Sequence, residues 1–182
     1  MAKIVLQDSR EKRKYHDNIL HGLTERGIKV ERTKLYVGDY TLPTNQSVCI
    51  DVKQNLTEVY ANIISDHARF IRECKRAQEA GVKLVILCEQ AGISTVQDVA
   101  AWINPRMTKW TKLRDAHKAG KRMNEPLNPY PPVSSERLAK AMQTISERYG
   151  VEWRFCAKSE TVNVICEVLN IEIGRASCRE RV

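Results

Sequence analysis

Apolar and polar positions along this chain recur with two periods, and the switches between them divide it into strands and helices. Lys3 to Gln7 is a short apolar run that suits a buried strand. His16, Ile19, Leu20 and Leu23, spaced by three and four, predict a helix that Gly27 ends. Ile28 to Leu35 alternates as a strand, and Val37-Gly38-Asp39-Tyr40 reads as a turn into a short strand closed by Pro43. Val48 to Lys53 is the next strand, with Val48, Ile50 and Val52 on one face. Two helices follow, one with the stripe Leu56, Val59, Tyr60, Ile63 and Ile64, the other with Phe70, Ile71, Cys74 and Ala77 before Gly81. Lys83 to Cys88 is a fully buried strand candidate. Ser94 and Gln97 form a capping box for a helix carrying Val96, Val99, Ala100 and Ile103.

Residues 104–133 break the pattern: basic, proline-containing and weakly periodic, they are expected to form an extended surface loop or insertion. A helix over Ser134 to Tyr149 follows, striped by Leu138, Ala141, Met142 and Ile145 and ended by Gly150. Val151, Trp153 and Phe155 alternate as a strand, and Val162, Ile165, Cys166 and Leu169 mark a last helix. The order predicts an α/β fold, a mixed sheet flanked by α-helices.

Composition narrows the setting. A chain of 182 residues, 42% hydrophobic and 29% charged, fits one folded domain rather than a disordered segment. No apolar run approaches the roughly 20 residues that span a bilayer, and the start lacks a leader pattern, so no membrane association and a cytoplasmic location are expected. The six cysteines form no Cys-x-x-Cys pair and are read as buried reduced thiols, not zinc ligands. Residues 172–182, Glu172 to Val182, resemble a translated sequencing adapter and are set aside, leaving a domain over residues 1–171. The formal charge of +8 is only slightly lowered without that tail, and it points to a polyanionic partner.

Candidate chemistry centres on Asp39 and the strand Asp51-Val52-Lys53. Strand residues i and i+2 share a side, so Asp51 and Lys53 face one way while Val52 faces the core. An Asp at the preceding turn can meet them at the strand end. Two carboxylates, with the Val52 carbonyl as a further ligand, suit Mg²⁺, for which Mn²⁺ is an expected substitute. Such a metal polarises a phosphodiester, and Lys53 would hold the attacking water or stabilise charge on the phosphate. Asp8-Ser9-Arg10-Glu11 ends the first strand, where α/β folds often place functional groups. Asp8 or Glu11 can complete the metal's outer shell or take a proton, and Arg10 can grip a phosphate; capping of a helix by Asp8 or Ser9, with Glu11 favoured by the helix dipole, is a second reading that does not exclude the first.

The motifs Asp8-Ser9-Arg10-Glu11, Gly38-Asp39 and Asp51-Val52-Lys53 resemble those of the XPF-family nuclease domain, within the restriction-endonuclease-like PD-(D/E)XK superfamily. The resemblance is stronger to stand-alone versions from bacteriophages and their hosts. It extends through Lys53-Gln54-Asn55-Leu56, His67-x-Arg69-Phe70-x-x-Glu73-Cys74, Arg76 to Leu84, Leu138 to Met142 and Arg148 to Val151. It implies a metal-dependent endonuclease acting on DNA near branch points or single-strand/duplex junctions, in DNA repair or recombination. Asp51 replaces the family's Glu, Val52 its Arg, and Thr57, followed by Glu58, stands where an acid is expected. No tandem helix-hairpin-helix segment is evident, and a homodimer is compatible with the family.

DNA contact is then expected from Arg106, Lys109, Lys112, Arg114, Lys118, Lys121 and Arg122, with Trp102 and Trp110 to stack on bases. His67 and Arg69 can contact the scissile strand. Two other readings remain: a non-catalytic DNA-binding module with a decayed nuclease site, and a protein-interaction scaffold whose basic face only solubilises.

Overall fold

The computed structural model describes residues 3–10, 13–121 and 125–172. Glu11, Arg122 and residues 173–182 of the adapter-like tail lie outside them. The strands are β1 (Lys3–Asp8), β2 (Ile28–Thr33), β3 (Tyr40–Thr41), β4 (Val48–Lys53), β5 (Lys83–Glu89) and β6 (Glu152–Cys156). They form one six-stranded sheet in the order β2-β1-β3-β4-β5-β6. The pairs β1–β2, β4–β5 and β5–β6 are parallel, whereas β3 is antiparallel to both β1 and β4. The sheet is therefore mixed, and the expected α/β architecture is observed.

Helices cover both faces. They are α1 (Arg13–Glu25), α2 (Leu56–Tyr60), α3 (His67–Glu79), α4 (Pro105–Lys118), α5 (Ser135–Tyr149) and α6 (Thr161–Val168). Alternation along β5 sorts its side chains into two cores: Leu84, Ile86 and Cys88 pack with α2, α3 and α5, while Val85 and Leu87 pack with α1 and α6. In β4, Ile50 and Val52 join the α1/α6 core. By the same alternation Asp51 and Lys53 turn toward α2 and α3. Among the described residues the cysteines are free and buried, as expected of reduced thiols.

Four expectations change. Residues 104–133 are not irregular throughout, because Pro105–Lys118 forms α4. This helix buries none of its residues, so it has no core-facing stripe for periodicity to detect. Its start was written locally nonetheless: the Asn104 side chain accepts from the Arg106 amide at 3.0 Å, and Pro105 occupies the first turn. The helix expected after Ser94 is a 3₁₀ turn over Gln97–Ala101, and its box is formed one residue later. The Asp98 carboxylate accepts from the amides of Ser94 and Thr95 at 3.0 and 2.8 Å, and the Asp98 amide donates to Thr95 Oγ1. Ile103, expected in the stripe, is 80% exposed.

The stripe after Lys53 runs from α2 into a π-helical turn, Ala61–Ser65, whose wider winding rotates Ile64 out to the surface. The strand expected to Leu35 ends at Thr33, because β1 offers no partner beyond Asp8.

Candidate active site

The topology gathers the predicted residues at one edge. β1 and β4 run the same way, so their C-terminal residues Asp8 and Asp51 to Lys53 reach the same side of the sheet, while β3 starts there with Asp39 just before it. Main-chain bonds lock this junction: the Asp8 amide donates to Asp39 O at 2.8 Å, and the Asp39 amide donates to Ile50 O at 2.7 Å. Gly38 lies at φ +69°, the left-handed region that glycine tolerates. A Cβ there would stand 3.0 Å from Ile50 O and 3.2 Å from Cys49 Cβ, so the turn needs glycine for space as well as conformation.

Asp39 Oδ2 accepts from the Val52 amide at 2.8 Å, which ties one carboxylate to the backbone between Asp51 and Lys53. Lys53 Nζ donates to Asp51 Oδ1 at 2.7 Å, and both residues are buried. Burial opposes the Lys53 charge, but the carboxylates of Asp51 and Asp39, the hydrogen bond to Asp51 and the charge of Glu58 outweigh it and raise its pKa. Lys53 is therefore held as a cation, suited to stabilising negative charge rather than to taking a proton. Asp51 Oδ2 is buried with no hydrogen-bond partner. A buried carboxylate oxygen left unpaired is unfavourable, and a hard cation is the kind of group that would satisfy it. No cluster of three or more His, Cys, Asp or Glu side chains able to hold a metal is assembled among the described residues. Two carboxylates and a main-chain carbonyl still fit Mg²⁺, which keeps several waters and needs few protein ligands.

Glu73 is a member of this group that periodicity alone passed over. It projects from α3, and its Oε1 accepts from the Gly38 amide at 3.3 Å. Burial, then the charge of Asp51, raise its pKa against the opposing pull of the Gly38 amide, Lys53 and Arg76. A signal was present: Glu73 sits with Phe70, Cys74 and Ala77 at the spacing of the buried face, a carboxylate within an apolar stripe.

Around this centre Arg10 Nε donates to Asp8 Oδ1 and Oδ2 at 3.1 and 2.9 Å, and Nη2 donates to Leu35 O at 2.8 Å. Burial alone would raise the Asp8 pKa, but the hydrogen bonds and charge of Arg10 outweigh it and lower it. Asp8 thus faces its own guanidinium, and Arg10 is braced by both Asp8 and the backbone. Glu58 Oε2 accepts from the Gln54 amide at 2.8 Å, so the acid beside Thr57 closes the start of α2. His16, expected within an apolar stripe, is buried, and its Nδ1 lies 2.7 Å from the Tyr40 hydroxyl. A cleft of about 290 Å³ opens at this edge between Arg10, His16, Val52, Gln54, Glu58 and Glu89.

The expected DNA contacts divide into two sets. His67 Nδ1 lies 2.9 Å from Ile63 O, and Arg69 Nη2 donates to Asn62 Oδ1 at 3.0 Å, so both brace the π-helical turn. Arg106, Lys109, Trp110, Lys112 and Arg114 lie along α4. Trp102 is partly buried against the core, which accounts for its apolar character without stacking on bases.

The sequence model described as the ERCC4 domain matches residues 7–168. No curated protein matches the chain. Among solved structures, XPF from Aeropyrum pernix is similar at 20% identity and a TM-score of 0.57, over 94% of this chain and 66% of that one. XPF from Aeropyrum pernix in complex with DNA is similar at 18% identity and a TM-score of 0.56, over 92% of this chain and 64% of that one. The chain thus spans just under two-thirds of each of these structures, and the likeness concerns the fold.

Proposed function

Because this chain belongs to the ERCC4 domain family, the XPF-type nucleases, we propose that it is a metal-dependent, structure-selective DNA endonuclease. The observation that carries the proposal is the buried, unpartnered Oδ2 of Asp51 between Lys53 and the Gly38–Asp39 turn. Asp39 and Asp51, with the Val52 carbonyl, would hold Mg²⁺ or, in its place, Mn²⁺. Bound there, the ion would polarise a phosphodiester and lower the pKa of water.

The remaining work falls to the chain's own groups. The Val52 amide orients Asp39. The Lys53 ammonium, now on Asp51, is one hydrogen bond away from turning to a phosphate oxygen as charge grows there. Arg10, braced by Asp8 and Leu35 O, would set its guanidinium charge beside a flanking phosphate. Glu11, outside the described residues, keeps its proposed share in this acidic edge through the motif alone.

The proposal extends to branched or junction-containing DNA as substrate and to repair or recombination in a phage or its bacterial host, supported by the sequence resemblance. A homodimer remains part of the same proposal. No helix among the described residues is long and apolar enough to cross a membrane. The test is a panel of single-stranded, duplex, flap, fork and four-way DNA with Mg²⁺. Scission of flap, fork or four-way substrates, lost in Lys53→Ala, supports the proposal. Binding without scission at any Mg²⁺ or Mn²⁺ concentration would instead identify a DNA-binding module with a decayed site.

A further inference from the structure

A second site lies away from the acidic edge. A groove of about 460 Å³ runs between α4 and residues 125–132, and Tyr60, Arg106, Lys109, Trp110, Tyr130 and Pro131 are among its walls. It is formed in advance of any ligand. Trp110 Nε1 donates to Asn128 O at 2.8 Å, which ties the segment to the helix. The Val133 amide donates to the Tyr60 hydroxyl at 2.9 Å, and Asn104 Nδ2 donates to Val133 O at 3.3 Å, which anchor its far end.

Its chemistry combines flat rings with positive charge. The Arg106 guanidinium lies 5.2 Å from the centre of the Tyr60 ring, and that of Arg114 lies 5.1 Å from the Trp110 ring. These pairs make stacked, cationic surfaces. Tyr130 is 78% exposed, a large ring held out to solvent at the groove. Glu125 is the acid among the lining residues, and it pairs with Lys109 at 2.9 Å. Both partners are more than half exposed, so the pair is weak and readily exchanged for a phosphate.

Charge alone would suit any polyanion. The rings decide between forms of DNA, because a duplex keeps its base faces stacked inside, whereas a single strand can lay them on aromatic and guanidinium planes. We propose that this groove binds the unpaired strand of a DNA substrate, stacking bases on Tyr130 and Trp110 and neutralising phosphates with Arg106 and Lys109. The proposal rests on the reading of the chain as a DNA nuclease, and it adds the form of DNA that the surface beside the active domain selects.

The test measures binding by fluorescence anisotropy, with the full chain, in a chelator and at fixed salt, so that no cleavage is needed. The probes are oligothymidylate, an abasic strand of the same length and a blunt duplex. Oligothymidylate should bind more tightly than the abasic strand. Tyr130→Ala should lower its affinity on the order of tenfold, as loss of one stacked base does. Tyr130→Phe should retain the affinity, and the abasic strand and duplex should be unaffected. The exposed position of Tyr130 leaves the fold intact in both variants. Equal weakening of all three probes, no effect of Tyr130→Ala, or no binding of any oligonucleotide would each overturn the proposal. Failure of the nuclease reading looks different: base-dependent single-strand binding would persist while Mg²⁺ produced no scission.

Discussion

Glu73 on α3 accepts a hydrogen bond from the amide of Gly38 across 3.3 Å, and so fastens a helix to the turn that carries Asp39. The contact joins two parts of the chain whose functional relation depends wholly on packing. It also sets a third carboxylate beside Asp51 and Lys53, where burial and the Asp51 charge raise its pKa.

That raised pKa has a consequence for stability. A carboxyl whose folded-state pKa exceeds its unfolded value contributes stability below the unfolded pKa, and loses it as pH rises through the folded one. Ionised Glu73 is therefore a burden on the folded state in the absence of metal. Glu73→Gln keeps an acceptor for the Gly38 amide and removes the charge. In a chelator at pH 7 it should unfold at a higher temperature than the parent protein, and the difference should shrink toward pH 4. A lower melting temperature at pH 7 would show that the Glu73 charge supports the fold.

Lys53 should separate charge stabilisation from folding only incompletely, because it is half of a buried pair with Asp51. Lys53→Ala leaves that carboxylate buried and alone, which costs about 3–5 kcal/mol in typical cases. Cleavage should fall by roughly 10²–10³-fold, as when a charge-stabilising donor is removed. Asp39→Asn is the cleaner variant, since an amide oxygen can still accept from Val52. Its urea midpoint should stay near that of the parent. Its apparent Mg²⁺ affinity in cleavage assays should weaken by no less than the roughly 10–100-fold seen when a ligand's supporting partner is disturbed.

Acid should act through Asp8. Its carboxyl is buried, which would raise its pKa, but Arg10 more than compensates and lowers it. A depressed carboxylate contributes stability above its unfolded pKa, and that contribution disappears as pH falls through the folded value. Arg10→Ala should therefore destabilise the protein at pH 7 by on the order of 1 kcal/mol, a modest figure because the Arg10 side chain is half exposed. Urea titrations of the two proteins should converge as pH falls below 4. A constant gap would assign the loss to packing of the arginine stem.

Gly38→Ala should test the turn itself. A left-handed non-glycine residue costs roughly 1–2 kcal/mol, and the new methyl would also press on Ile50 O and Cys49 Cβ. Gly92 has φ +78° but nothing within 4 Å of its missing Cβ, so Gly92→Ala carries the conformational cost alone. The urea midpoint should drop further for Gly38→Ala than for Gly92→Ala, and Gly38→Ala should also lower cleavage by moving Asp39.

Much of this protein is written in short-range pattern. The period of two along Val48 to Lys53 places Asp51 and Lys53 on one side, and the structure joins them at 2.7 Å. The apolar stripes of α1, α3 and α5 mark their buried faces, and the glycines after them stand where the chain turns left-handed. α4 escaped the same logic because a helix that buries nothing needs no stripe, and only its Asn104-Pro105 start betrayed it.

By itself the sequence determined the sheet-forming strands, most of the helices and the Asp39, Asp51 and Lys53 constellation, because strand and helix geometry act over a few residues. Tertiary structure alone decided that Glu73 joins that constellation, that Arg10 is braced by both Asp8 and Leu35 O, and that α4 with residues 125–132 makes a groove. Those relations arise where elements far apart in sequence pack together. Their distances follow from the strand order and the two cores on either side of the sheet, which no local periodicity encodes.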